Sequence, residues 1–122
     1  AEAEITEAII GFEREFMGRG PTETRSFIVA YMVLVRLKGV MTPAERQLAG
    51  GGEGDRGREL IKQMRSELLE RGRPLLEAIV QDVLGRKIVS LHTDISTVTG
   101  ERIILFTLTS APELDVPART KP

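Results

Sequence analysis

From Arg58 to Leu84 the apolar residues keep a single helical phase over about 27 residues. Ile61, Met64, Leu68, Leu75, Ile79 and Val83 form the stripe, and Leu60, Leu69, Leu76 and Val80 widen it. Gly72 and Pro74 interrupt this pattern without shifting its phase, and "RGR" is short for a loop between antiparallel helices. The segment is therefore predicted as one long helix kinked at Pro74. At 1.5 Å per residue such a helix spans roughly 40 Å, more than the width of a 122-residue globule. An apolar stripe that outruns its own domain needs a second chain, so a homodimer through helix 58–84 is expected.

The rest of the chain supplies a sheet to pack against. Ile5, Ile9, Phe12 and Phe16 mark one face of a first helix, which "MGRGP" stops at Gly18 to Pro21. Residues 25–38 are rich in Val, Ile, Phe and Tyr, and their length requires a bend or tight turn near Ala30 and Tyr31. After the turn, Val33, Val35 and Leu37 form a core face, with Leu34, Arg36 and Lys38 opposite. "MTPAER" opens a short helix to about Ala49, with Thr42 as N-cap, Pro43 in the first position and Glu45 closing a capping box. The glycine-rich run Gly50 to Gly57 reads as a mobile loop.

"KIVSLHTDIS" and "ERIILFTLT" read as a hairpin. A turn at Thr99–Gly100 pairs Thr97 with Arg102, Ile95 with Ile104, Thr93 with Phe106 and Leu91 with Leu108. Val89, Leu91, Ile95, Ile104, Phe106 and Leu108 then share the buried face. The fold class is α+β: a mostly antiparallel sheet of three to four strands packed against helices, one of them long and Pro-kinked. Residues 1–110 form this single domain, and the proline-rich tail 111–122 is expected to be disordered.

Composition excludes several function classes. With 17 basic and 18 acidic residues the net charge is −1, so no global field draws the chain to nucleic acid or an anionic bilayer. Aromatic content of 4% leaves no stacking platform for single strands, and no nucleic-acid partner is expected. There is no cysteine, hence no thiolate site, which fits a cytoplasmic location. The longest apolar run, Phe27 to Val35, falls far short of the roughly 20 residues of a spanning helix, so no membrane insertion is expected.

"LHTDIS" holds the single histidine and residue types that elsewhere build hydrolase triads. His92, Asp94 and Ser96 share one strand face, but side chains two apart sit roughly 7 Å apart at their bases. Nucleophilic catalysis needs about 3 Å, so no catalytic site is expected. His92 and Asp94 are too few for a zinc site unless a symmetric dimer supplies the pair twice, and neither metal nor cofactor is expected. Glu13 and Glu15, like Glu67 and Glu70, read as solvated helix faces. Arg14, Arg19 and Arg25, with Arg36 and Lys38, form a candidate anion patch. The threonines of the last hairpin, including Thr93 and Thr107, give it a hydroxyl-rich surface of the kind that binds ordered water.

"FEREFMGRGP", "VLVRLKGVMTPAERQLA", "GRELIKQMRSELLERGRPLLEAI" and "VSLHTDISTVTGERIILFTL" together resemble the MpsC-like family of small bacterial and archaeal proteins, over about Glu2 to Leu108. The resemblance implies a non-enzymatic accessory or regulatory protein, peripheral to a membrane cation or bicarbonate transport system, with a membrane transport protein as partner. It marks Arg19, Arg36, Lys38, His92, Thr93, Asp94 and Thr107 as candidate binding residues. Alternatives from the residues are a binder of ordered water, such as ice or gas hydrate, and a small-anion module. Ala30 and Tyr31 stand where the family tends to carry acidic residues.

Overall fold

A computed structural model describes residues 2–18, 20–50 and 55–112. Along the chain run α1 (Glu2–Phe16), β1 (Glu23–Val29), β2 (Met32–Lys38), α2 (Pro43–Ala49), α3 (Asp55–Leu84), β3 (Ile88–Ile95) and β4 (Arg102–Leu108). The strands form one antiparallel sheet in the order β1-β2-β4-β3, so β3 and β1 are its edges. The fold is α+β, as predicted. Arg19 and residues 113–122 lie outside the described residues, as do 51–54 of the expected mobile loop.

The β1–β2 hairpin turns at Ala30 and Tyr31, where Ala30 takes a left-handed backbone (φ 54°) that non-glycine residues rarely adopt. Val33, Val35 and Leu37 of β2 and Ile104, Phe106 and Leu108 of β4 point inward and are buried. Ile5, Ile9 and Phe12 of α1 meet them, and the Phe16 ring stacks on Phe12 at 5.2 Å between centroids. The capping box of α2 forms as the spacing predicts. Glu45 N–H donates to Thr42 Oγ1 at 3.2 Å, and Thr42 N–H donates to Glu45 Oε1 at 2.8 Å.

Helix α3 is continuous through Pro74 and begins three residues earlier than the periodicity indicates, taking up Asp55 to Gly57 from the expected loop. Pro74 is exposed, so its ring needs no room in the core; its nitrogen cannot donate to the Glu70 carbonyl, and the helix loses one rung there. The buried line is Ile61, Arg65, Leu69, Gly72, Leu76, Val80 and Leu84. Met64 and Leu75, placed in the centre of the stripe by sequence, are half exposed instead. Gly72 lets α1 approach: a Cβ there would stand 2.6 Å from the Phe16 ring.

The β3–β4 register differs from the sequence expectation by two residues. Ile95 pairs with Arg102, Thr93 with Ile104 and Leu91 with Phe106. The connection is a loop from Ser96 to Glu101, closed by Gly100 N–H to the Ser96 carbonyl at 2.7 Å and by Ser96 N–H to the Glu101 carbonyl at 2.8 Å. Because strand faces repeat every two residues, this shift leaves Leu91, Ile95, Ile104, Phe106 and Leu108 on the predicted face. Val89 is the exception: an irregularity between Ile88 and Ser90 turns it out to solvent, 64% exposed.

Candidate functional site

Three charged residues occupy in-phase core positions. Glu13 lies four residues after Ile9 on the buried face of α1. Arg65 lies between Ile61 and Leu69 on α3, and Arg102 opens β4 two residues before Ile104. All three are buried, which corrects the reading of Glu13 as part of a solvated face. A fourth, Glu45, is buried at the start of α2.

Glu45 and Arg65 hold each other in a fork. Arg65 Nε donates to Glu45 Oε2 at 2.9 Å, and Nη2 donates to Oε1 and to the Val40 carbonyl, both at 2.8 Å. Burial pushes the Glu45 carboxyl upward. The hydrogen bonds from Arg65 and the Thr42 backbone outweigh it, leaving the group below the usual carboxylate range.

Glu13 and Arg102 face one another without that closure. Arg102 Nη1 stands 4.0 Å from Glu13 Oε2 and makes no hydrogen bond, and neither carboxylate oxygen of Glu13 has a partner. Arg102 is held from the other side, its Nε donating to Thr93 Oγ1 at 3.2 Å while that hydroxyl donates to the Ile103 carbonyl at 2.8 Å. Burial raises Glu13, and the charges of Arg102 and Arg65 offset this only in part. Burial likewise lowers the Arg102 guanidinium.

Between α3 and the β3–β4 hairpin, above these arginines, opens a cleft of about 110 Å³. Arg65 and Arg102 form its floor, Leu69 one wall, and Ser66 and Thr93 contribute hydroxyls. Lys62 Nζ reaches Asp94 Oδ1 at 3.2 Å across the mouth. A hydrogen bond from the Ile95 backbone N–H is the main cause that lowers the Asp94 carboxyl, and Lys62 adds to it.

The residues singled out by sequence are distributed over several surfaces. Thr93 and Asp94 line the cleft. His92 and Asp94 alternate with the inward Thr93 along edge strand β3; His92 is exposed, its Nε2 3.2 Å from Ser90 Oγ, which in turn bonds the Thr107 hydroxyl, and it borders a second groove with Ser66, Glu70 and Arg73 of α3. Arg36 and Lys38 lie on the outer sheet face with Arg25, where Arg36 pairs with Glu101 and both Lys38 and Arg25 stand 3.9 Å from Glu23. Arg14 is not with them: its guanidinium lies beside Gly20. Thr93 faces inward and Thr107 outward, so the hairpin hydroxyls make no single array. Among the described residues no three His, Asp or Glu side chains group to hold a metal ion, and no helix is long and apolar enough to cross a membrane.

The sequence profile of the family described as "Na+-translocating membrane potential-generating system (MpsC)" matches residues 1–110. An uncharacterized protein of Bacillus subtilis (strain 168), YbcI, is 42% identical over 107 residues, covering 88% of this chain and 84% of that protein. No solved structure matches.

Proposed function

The chain belongs to the MpsC family, and from that membership we propose that it is a non-enzymatic accessory or regulatory component of a Na+-translocating membrane system, acting peripherally on the membrane-borne partner that moves the ion. The observation carrying this reading is the family match over residues 1–110, nearly the whole chain. Among the described residues no helix is long and apolar enough to cross a membrane, and in this reading the partner carries the ion while this chain serves control or assembly.

In this reading the working unit is a homodimer joined through α3. Leu60, Met64 and Leu75 support it: they lie along α3 off its buried line and are 42%, 44% and 51% exposed in the single chain. An apolar row of that kind on a charged helix is the usual seam for a second copy. Sedimentation should report about twice the 13.5 kDa chain mass, falling to one chain mass for Met64→Glu. A wild-type monomer at all concentrations defeats the dimer.

The functional test is biochemical. A tagged chain, cross-linked in cells and solubilised in mild detergent, should co-purify with an integral-membrane cation-translocating protein. Deleting it should lower the Na+-dependent part of the membrane potential, and re-expression should restore that part. Unchanged Na+ dependence after deletion, together with no membrane protein in the cross-linked material, overturns the proposal.

A further inference from the structure

The cleft between α3 and the β3–β4 hairpin is lined by Arg65 and Arg102. Both guanidinium groups are at least nine-tenths buried, both line the cleft, and each has an Nη1 with no hydrogen-bond partner. Buried N–H groups of an arginine are seldom left unmade, because an unmet charged donor costs more than a neutral one. Glu45 directs its two oxygens to Arg65 and to the Thr42 backbone. Glu13 is 4.0 Å from Arg102, beyond hydrogen-bond reach, and burial favours its uncharged form. The interior therefore holds two arginine side chains that each keep one unmet Nη1, beside one carboxylate engaged with Arg65 and another that hydrogen-bonds to neither arginine.

We propose that the cleft binds a small oxyanion of the carboxylate class, seated on Arg65 and Arg102 with the Ser66 hydroxyl beside it. A carboxylate offers two acceptor oxygens in the planar arrangement that guanidinium groups match. A cleft of about 110 Å³ admits an anion of a few heavy atoms and not a nucleotide or a peptide segment. The Lys62–Asp94 bridge spans the mouth, so an entering anion passes Lys62 and must displace or skirt the Asp94 carboxylate. Access by a large anion is thereby opposed on charge as well as size. This inference is independent of the proposed transport role and stands or falls without it.

The test uses the whole chain with acetate as the probe. Potassium acetate replaces potassium chloride at a constant ionic strength of about 0.1 M, so that general screening does not change. The expected result is a saturable shift of the Nε–H resonances of Arg65 and Arg102 and a rise in unfolding temperature with acetate. Ser66→Phe, at an exposed position on α3 that borders the cleft, fills the space without touching the core and should abolish both effects. Lys62→Met leaves Asp94 unpaired at the mouth and should weaken binding severalfold. Arg36→Met, on the opposite face of the sheet, should leave it unchanged. Absence of any saturable shift overturns the site, as do equal effects from chloride or persistence of the acetate response in Ser66→Phe. Saturable binding of phosphate in place of acetate overturns the carboxylate assignment.

Discussion

Two buried arginine–carboxylate pairs lie in the same core, Glu45–Arg65 at the contact of α2 with α3 and Glu13–Arg102 between α1 and β4. In the first, both carboxylate oxygens accept from Arg65, and one also closes the capping box of α2. In the second, the charges stand 4.0 Å apart and both oxygens of Glu13 are unmet. Desolvation opposes both pairs, and only in the first do hydrogen bonds outweigh it, so hydrogen-bond closure marks which is a structural clasp. Glu45–Arg65 ties a short helix to a long one. Glu13–Arg102 lacks that closure, and its arginine lines a cleft.

The sharpest way to break this comparison is to remove one arginine at a time. Arg65→Met strands a carboxylate that is nearly all buried and takes a donor from the Val40 carbonyl, so a loss of about 3–5 kcal/mol is expected in urea unfolding. Arg102→Met leaves Glu13 able to take up a proton and should cost less, about 1–2 kcal/mol. Equal losses would mean that the two pairs are equivalent. Next in size is the replacement of whole pairs. Glu13→Leu with Arg102→Met should be neutral or stabilising by about 1–2 kcal/mol, since it substitutes apolar packing for unmet polar atoms. Glu45→Leu with Arg65→Met also destroys the capping box at Thr42 and should remain destabilising by about 1 kcal/mol or more.

The same contrast explains what could be read from the residues alone. Helix α1, the capping box, the turn at Ala30 and Tyr31 and the inward face of β2 follow from local spacing, and local spacing is what a sequence displays. The β3–β4 register was legible only by face, because Thr99–Gly100 is a sound two-residue turn signal while the chain closes a longer loop through Gly100. The buried charges did leave a mark: Glu13, Arg65 and Arg102 each fall where the apolar period calls for a hydrophobic side chain. A charge in phase at the border of a stripe is ordinarily solvated, and nothing local names its partner. Glu45 and Arg65 are 20 residues apart, and their pairing depends on how α2 folds back on α3. Within "LHTDIS" the cleft is lined by Thr93 and Asp94, while His92 borders a neighbouring groove with Ser66, Glu70 and Arg73 of α3.

The smallest effect is also the most specific, because the two carboxylates carry opposite signs in the pH dependence of stability. Glu13 is raised in the folded chain, so the native state holds a proton that the unfolded state releases near pH 4.5. Stability relative to Glu13→Gln is therefore greatest below that pH and falls as pH rises through the folded value. Glu45 is lowered, so its contribution is present above about pH 4.5 and is lost as pH falls through the folded value. Urea midpoints measured at a series of pH values should thus show the Glu13→Gln difference changing on the neutral side of pH 4.5 and the Glu45→Gln difference changing on the acid side. A Glu13 difference that grows in favour of the wild type with rising pH would mean that Arg102 outweighs burial and that the two pairs work alike. Adding acetate tests the link to the cleft: an anion on Arg102 deprives ionised Glu13 of its counter-charge, so acetate should extend the protonated range of Glu13 to higher pH. No movement of that limb with acetate would separate Glu13 from the cleft.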